Sequence, residues 1–272
     1  MLNNIITEDK LILRLQEISK NGILDAEDAD RSENMHRLFM YPAMMVPAAQ
    51  SAIIQAFSDI LPPNTYAIDP FMGSGTSLLS CIEFGFNVFG QDINPFAVLL
   101  SKAKTTTYDI LKLRITLDNI KDHIAQDNST TIDISFSSID KWFSTEAQIS
   151  FSKIRRAINA EEDINYRYFF WVLMSEAIRV GSNDRTSTFK LHRRSAGELK
   201  HRNVNIIQKF LSIAACGISD YELLSDKLKS EHNVAEFNFR GKTEIVWGNS
   251  QLGINSKRKF NLLLSSPPYG DN

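Results

Sequence analysis

Asp69-Pro70-Phe71-Met72-Gly73-Ser74-Gly75-Thr76 stands between a short apolar run and a helix-forming one. Tyr66–Asp69 reads as a strand. Pro70 and the two glycines break it, and Thr76–Phe84 carries helix-period apolar residues. Asn87–Gln91 is a second apolar strand that ends at Asp92, followed by a helix over Asn94–Lys102. Strand, glycine turn, helix, strand and acid form the order of a βαβ unit with a parallel sheet. The expected fold class is α/β.

Glycines at such a turn let the backbone bend sharply and come close to a ligand, and the helix beyond offers unpaired N–H groups. A carboxylate at the end of the second strand, here Asp92, can accept the hydroxyls of a ribose. A plainer reading makes Ser74 or Thr76 a helix cap and Asp92 the cap of the helix at Asn94. No Gly-Lys-Ser/Thr follows the turn, so no lysine waits for a β- or γ-phosphate. Acids at Asp69 and Asp92 suit a ligand with ammonium or sulfonium charge and a ribose, a description that fits S-adenosyl-L-methionine better than NAD.

At the other end of the sequence, Phe260–Leu264 is an apolar strand running into Ser266-Pro267-Pro268-Tyr269. Two prolines remove two N–H donors and leave carbonyl acceptors. Ser266 adds a hydroxyl and Tyr269 a flat face. This set suits a planar heterocycle held by its exocyclic amine. The amine lone pair is delocalised into the ring, and acceptors around its hydrogens pull the nitrogen toward tetrahedral geometry. Tyr269 can stack on a base taken out of a duplex. The alternative is a proline-rich turn after a strand.

The 272 residues suit one enlarged domain or two small ones. A formal net charge of -2 leaves any nucleic-acid contact to a local patch. Such a patch lies in Asn183–Arg202, where Arg185, Lys190, Arg193 and Arg194 are the candidate phosphate contacts; a solvated loop or helix face is the alternative. From Tyr108 to about Phe239 the pattern is mainly helical, over Ile110–Ala125, Glu146–Ala160, Ile164–Val180 and Val204–Lys229. Strand character returns at Thr243–Trp247. The expected organisation is therefore residues 1–107 as N-terminal segment and cofactor-binding half, 108–239 as a helical insert and target-recognition region, and 240–272 as the return to the core. The two cysteines, Cys81 and Cys216, have no metal or disulfide spacing and read as buried packing residues. No metal site is expected. Without a signal peptide or an apolar run long enough for a membrane, the expectation is a cytoplasmic protein with no membrane partner.

Together, Asp69–Thr76, Asp92-Ile93-Asn94-Pro95 and Ser266–Tyr269 resemble the blocks of the DNA amino-methyltransferases, and Met35–Pro42 resembles the block that precedes the glycine turn in circularly ordered members. The resemblance implies a Rossmann-like class I methyltransferase sheet and S-adenosyl-L-methionine as cofactor. It places Asp69, Pro70, Phe71, Gly73, Gly75, Thr76, Asp92 and Ile93 at the cofactor. Trp247-Gly-Asn-Ser250 resembles the block whose acid meets the adenine ring, with Asn249 in the acid's place. Ser266, Pro267, Pro268 and Tyr269 would hold the target base in double-stranded DNA. A serine before Pro-Pro-Tyr is typical of the cytosine-N4 branch, whereas the adenine-N6 branch usually has aspartate. A restriction–modification or defence role follows from the same resemblance.

The resembling fold has further strands after Pro-Pro-Tyr, and only three residues follow Tyr269 here. The sheet is thus expected to be incomplete at its carboxy-terminal end, with Phe260–Leu264 near its centre and one edge open. A second polypeptide completing the sheet, a truncated product, or a non-catalytic subunit would each explain this. An RNA amino-methyltransferase is the nearest enzymatic rival.

Overall fold

The computed structural model describes residues 8–20, 35–41, 47–58, 60–62, 64–185, 190–232 and 242–265. The chain divides into two compact units. One comprises Met1–His36, Ala43–Thr107 and Asp226–Asn272, the other Arg37–Pro42 and Tyr108–Ser225.

The first unit carries helices α1 (Glu8–Lys20), α2 (Pro47–Ser58), α3 (Thr76–Glu83) and α4 (Pro95–Thr105), with strands β1 (Tyr66–Asp69), β2 (Asn87–Asp92), β3 (Thr243–Trp247) and β4 (Leu262–Leu263). The four strands make one parallel sheet in the order β3-β2-β1-β4. Asp69 pairs with Gly90, Asp92 with Trp247 and Ile68 with Leu263. Successive strands β1, β2 and β3 step one way across the sheet, and β4 joins on the other side of β1. The carboxyl ends of β1 and β4 therefore flank a topological switch point, where open α/β sheets place their ligand crevice. β4 is an edge strand among the described residues rather than a central one. Its two residues are all that remain of the longer strand expected over Phe260–Leu264.

Every residue of α3 is buried. The helix packs against β1, β2, α2 and α4, so it presents no solvent face and, apart from Glu83 in its last turn, is apolar or small on all sides. Its Leu78, Cys81 and Ile82 join Ile54, Ala67, Met72, Phe86, Val88 and Val98 in the core. Each such aliphatic or aromatic side chain contributes roughly 1.5–3 kcal/mol by burial. Gly90 lets α3 lie this close: a Cβ there would fall 2.4 Å from Leu78 Cδ1 and 2.5 Å from Met72 Sδ.

The second unit is helical: α5 (Ile110–Gln126), α6 (Ile139–Trp142), α7 (Thr145–Asn159), α8 (Ile164–Gly181), α9 (Ala196–Lys200) and most of α10 (Ile206–His232). Its entry point is clamped by aromatic residues. The Tyr108 ring meets Tyr166, Phe169 and Tyr221 edge-on at centroid distances of 5.1–5.4 Å. The Tyr221 hydroxyl accepts from Tyr108 N (2.7 Å) and donates to Tyr108 O (3.2 Å), and burial pushes its pKa up to about 12. Cys216 departs from expectation: Cys81 is buried, but Cys216 is exposed. Ala214, Ile218 and Tyr221 set the inward face of α10, and the helical phase turns residue 216 outward. Among the described residues, no helix is long and apolar enough to cross a membrane.

Candidate cofactor site at the carboxyl ends of β1 and β2

The turn after β1 is built on two left-handed glycines, Gly73 (φ 49°) and Gly75 (φ 73°). Gly75 is the N-cap of α3 and brings no side-chain acceptor to the helix. A helix amino terminus without a capping side chain suits a ligand carboxylate. A second constraint acts at Gly75, because a Cβ would lie 2.7 Å from Ser101 Oγ. That hydroxyl donates to Gly73 O at 3.2 Å and ties the turn to α4. Ser74 and Thr76 are buried and their hydroxyls meet at 3.0 Å, so neither supplies the cap that a plain turn would use.

Asp92 holds both flanks of the turn. Its Oδ2 accepts from Gly73 N (2.9 Å) and its Oδ1 from Asn94 N (2.8 Å). Asn94 itself caps α4 by accepting from Phe96 N. A carboxylate oxygen has two lone-pair directions, and these two bonds use one on each, so hydroxyl donors can still be accepted. Asp69 is only 3% exposed. It accepts from Ser77 Oγ, from Phe71 N (3.0 Å) and from Ser265 Oγ (2.8 Å). Burial raises its pKa despite these donors, and the charge of Asp92 adds to the effect.

Around this polar centre stand exposed apolar side chains. Phe71 is 40% exposed, Ile93 64% and Trp247 68%. The Trp247 indole N–H donates to Ile93 O at 2.9 Å, so the ring is held while its face stays open. Asn249 lies beyond β3, where its side-chain oxygen accepts from Gln251 N at 3.0 Å as the cap of a short 3-10 turn. Pro70 O accepts from Ser250 Oγ at 2.5 Å. Thus Asp69, Pro70, Phe71, Gly73, Gly75, Thr76, Asp92, Ile93 and Asn249 all lie at or just beyond the carboxyl ends of β1, β2 and β3.

Ser266, Pro267, Pro268 and Tyr269 lie outside the described residues. The residue before them, Ser265, is the one whose hydroxyl reaches Asp69. The basic candidates belong to the second unit, where side-chain bonds tie down Arg185 and Arg193. Arg185 pairs with Glu198 at 2.7 Å, and Arg193 Nε donates to Lys141 O at 2.9 Å. Arg194 Nε is buried with no partner, and Lys190 is exposed. Glu198 also completes a capping box with Ser195 at α9, and the hydroxyl, backbone and Arg185 bonds hold its pKa down at about 2.

Sequence reasoning overlooked Gln91, Ser101, Ser265 and the open face of Trp247. Gln91 carried a usable signal, since an amide inside a strand buried on both faces must find partners.

A parallel α/β sheet with a glycine turn, a strand-end acid and an apolar rim at its switch point defines an open α/β protein with a candidate ligand crevice. The chain is a relative of the type II methyltransferases. It is 33% identical, over 97% of its length, to the type II methyltransferase M.MvaI of Kocuria varians. It is 36% identical, over 32% of its length, to the type II methyltransferase M.MjaII of Methanocaldococcus jannaschii, covering 16% of that protein. The chain spans 59% of the length of the first relative. No family model matches the sequence, and no solved structure matches it. Neither relative lends support to a separate polypeptide that completes the sheet.

Proposed function

We propose that the chain acts as an S-adenosylmethionine-dependent DNA methyltransferase on an exocyclic amine, cytosine N4 in preference to adenine N6, within a restriction–modification system. The observation that carries this reading is the Ser265–Asp69 hydrogen bond of 2.8 Å. It sets Ser265, the residue that precedes Ser266-Pro267-Pro268-Tyr269 in the sequence, beside the glycine turn, at the switch point where cofactor and base would have to meet.

The residues fit the cofactor. Asp92 retains acceptor capacity for ribose hydroxyls, the uncapped start of α3 suits the methionine carboxylate, and Phe71, Ile93 and Trp247 offer apolar surface to the purine. Asn249, with its oxygen used as a cap, has its amide N–H₂ to offer. The cofactor supplies a methyl group on a sulfonium, which transfers by in-line displacement governed by positioning. Ser266 and the carbonyls around Pro267 and Pro268 would accept the hydrogens of the target amine, and Tyr269 would stack on the base. Asp69 works from behind, fixing the turn through Phe71 and Ser77 and the base-facing segment through Ser265. In the second unit, Arg185, Lys190, Arg193 and Arg194 would meet phosphates of duplex DNA.

The test is transfer of labelled methyl from S-adenosylmethionine to duplex DNA, followed by digestion to nucleosides and mass analysis. N4-methylcytosine is the expected product. N6-methyladenine would overturn the choice of base, and label found in tRNA but not in DNA would overturn the DNA assignment. Cofactor binding with no transfer to either would leave a non-catalytic subunit.

A further inference from the structure

We infer that Gln91 is a positioning residue that locks the glycine turn and the segment after β3 into one cofactor-binding surface. The inference rests on the cofactor reading of this site.

Gln91 is the penultimate residue of β2 and has no solvent exposure. Its Nε2 donates to Ser250 Oγ (3.0 Å) and to Gly253 O (3.0 Å), and its Oε1 accepts from Asn255 N (2.9 Å). One amide therefore holds three points of the segment that carries Asn249. Ser250 passes the connection on, donating to Pro70 O at 2.5 Å. The backbone of Gln91 reaches the same turn directly, where its carbonyl accepts from Met72 N at 3.2 Å. The amide also lies against Gly248, where a Cβ would come within 3.0 Å of Gln91 Cδ. A glycine follows Trp247 because this side chain fills the space.

The chemistry demands an amide. Two donors and an acceptor are used from one planar group, which ionised glutamate cannot supply and leucine lacks altogether. A buried amide is tolerated only when its partners are present, so the side chain and the segment order one another. Gln91 does this while fully buried. Its influence on the cofactor runs through Asn249 and Pro70, on either side of Asp92.

The experiment measures binding of S-adenosylhomocysteine to the full chain and to Gln91→Leu, Gln91→Glu and Ser250→Ala. Gln91→Leu should bind roughly tenfold or more weakly, as expected when buried partners lose a shared amide and the segment must be ordered by the ligand. Gln91→Glu should bind best at low pH, where the acid is neutral and donates, and lose affinity as pH rises. The unsubstituted chain should show no such step, and a merely structural residue would not create one. Ser250→Ala cuts only the link to Pro70 and should weaken binding less than Gln91→Leu. Unaltered affinity in all three variants overturns the inference. If the unsubstituted chain binds no S-adenosylhomocysteine, the cofactor reading fails, and hydrogen exchange without ligand judges Gln91. Faster exchange in Gln91→Leu and Ser250→Ala at both Met72–Gly75 and Gly248–Asn255 supports the lock, whereas unchanged exchange at Met72–Gly75 overturns it.

Discussion

Gly75 illustrates how a single missing side chain serves backbone and packing together. Its left-handed φ of 73° disfavours any L side chain, and Ser101 Oγ would lie 2.7 Å from a Cβ. Gly75→Ala should cost about 1–2 kcal/mol from the backbone alone, with the clash against α4 added. Urea unfolding of the variant measures the sum, and an unchanged midpoint would refute both constraints. Lys104 offers a pH test. It is fully buried on α4, and desolvation lowers its pKa to about 7 from 10.5. Below pH 7 both folded and unfolded chains carry the proton. Between about 7 and 10.5 only the unfolded chain does, so stability should rise with pH across that window. Lys104→Met should flatten that rise in denaturation midpoints taken from pH 7 to 10; a slope equal to that of the parent chain would place its origin elsewhere.

Strands and helices were mostly legible because their signals are local. Tyr66–Asp69 and Thr243–Trp247 begin and end where turn residues or acids bound an apolar run, and the structure keeps both ranges. The conformation of the glycine turn and the strand-end place of Asp92 were legible for the same reason, since two glycines and an acid after an apolar run are local features. Pairings between remote segments leave no such trace. Nothing near Leu262 says that it joins β1 on the side opposite β2, and nothing near Gln91 says that Ser250, Gly253 and Asn255 will be its partners. Cys216 was misread because its apolar neighbours in sequence belong to a different face of α10. The segment around α9 shows a further limit: a run of positive charge does not reveal which charges are already engaged. Arg185 is paired with Glu198 and Arg193 is tied to a carbonyl, while Lys190 is an exposed side chain of the same run. Lys190→Ala should weaken duplex binding uniformly across sequences and reduce the salt slope by about one. Binding titrations at several salt concentrations read this directly, and an unchanged slope would remove Lys190 from the phosphate contacts.

At the scale of the molecule, each unit has its own core, with the first built around α3 and the second around Tyr108, Phe169 and Tyr221. Phe169→Ala empties a fully buried position and should destabilise the helical unit by about 3–5 kcal/mol. Hydrogen exchange would localise the loss. Acceleration confined to the residues from Tyr108 to Ser225 is the expected pattern, and equal acceleration through β1 and β2 would show the cores to be one. The sheet also pairs Val88 with Thr243, with the stretch Tyr108–Ser225 of the helical unit inserted between them in the chain. During synthesis β1, α3 and β2 emerge long before β3 exists. The ribosome therefore delivers a half-sheet whose flank must wait, uncovered, while another body of chain is translated and condenses. The nascent protein is then most open to chaperones and to mispairing at the very strand that ends in Asp92.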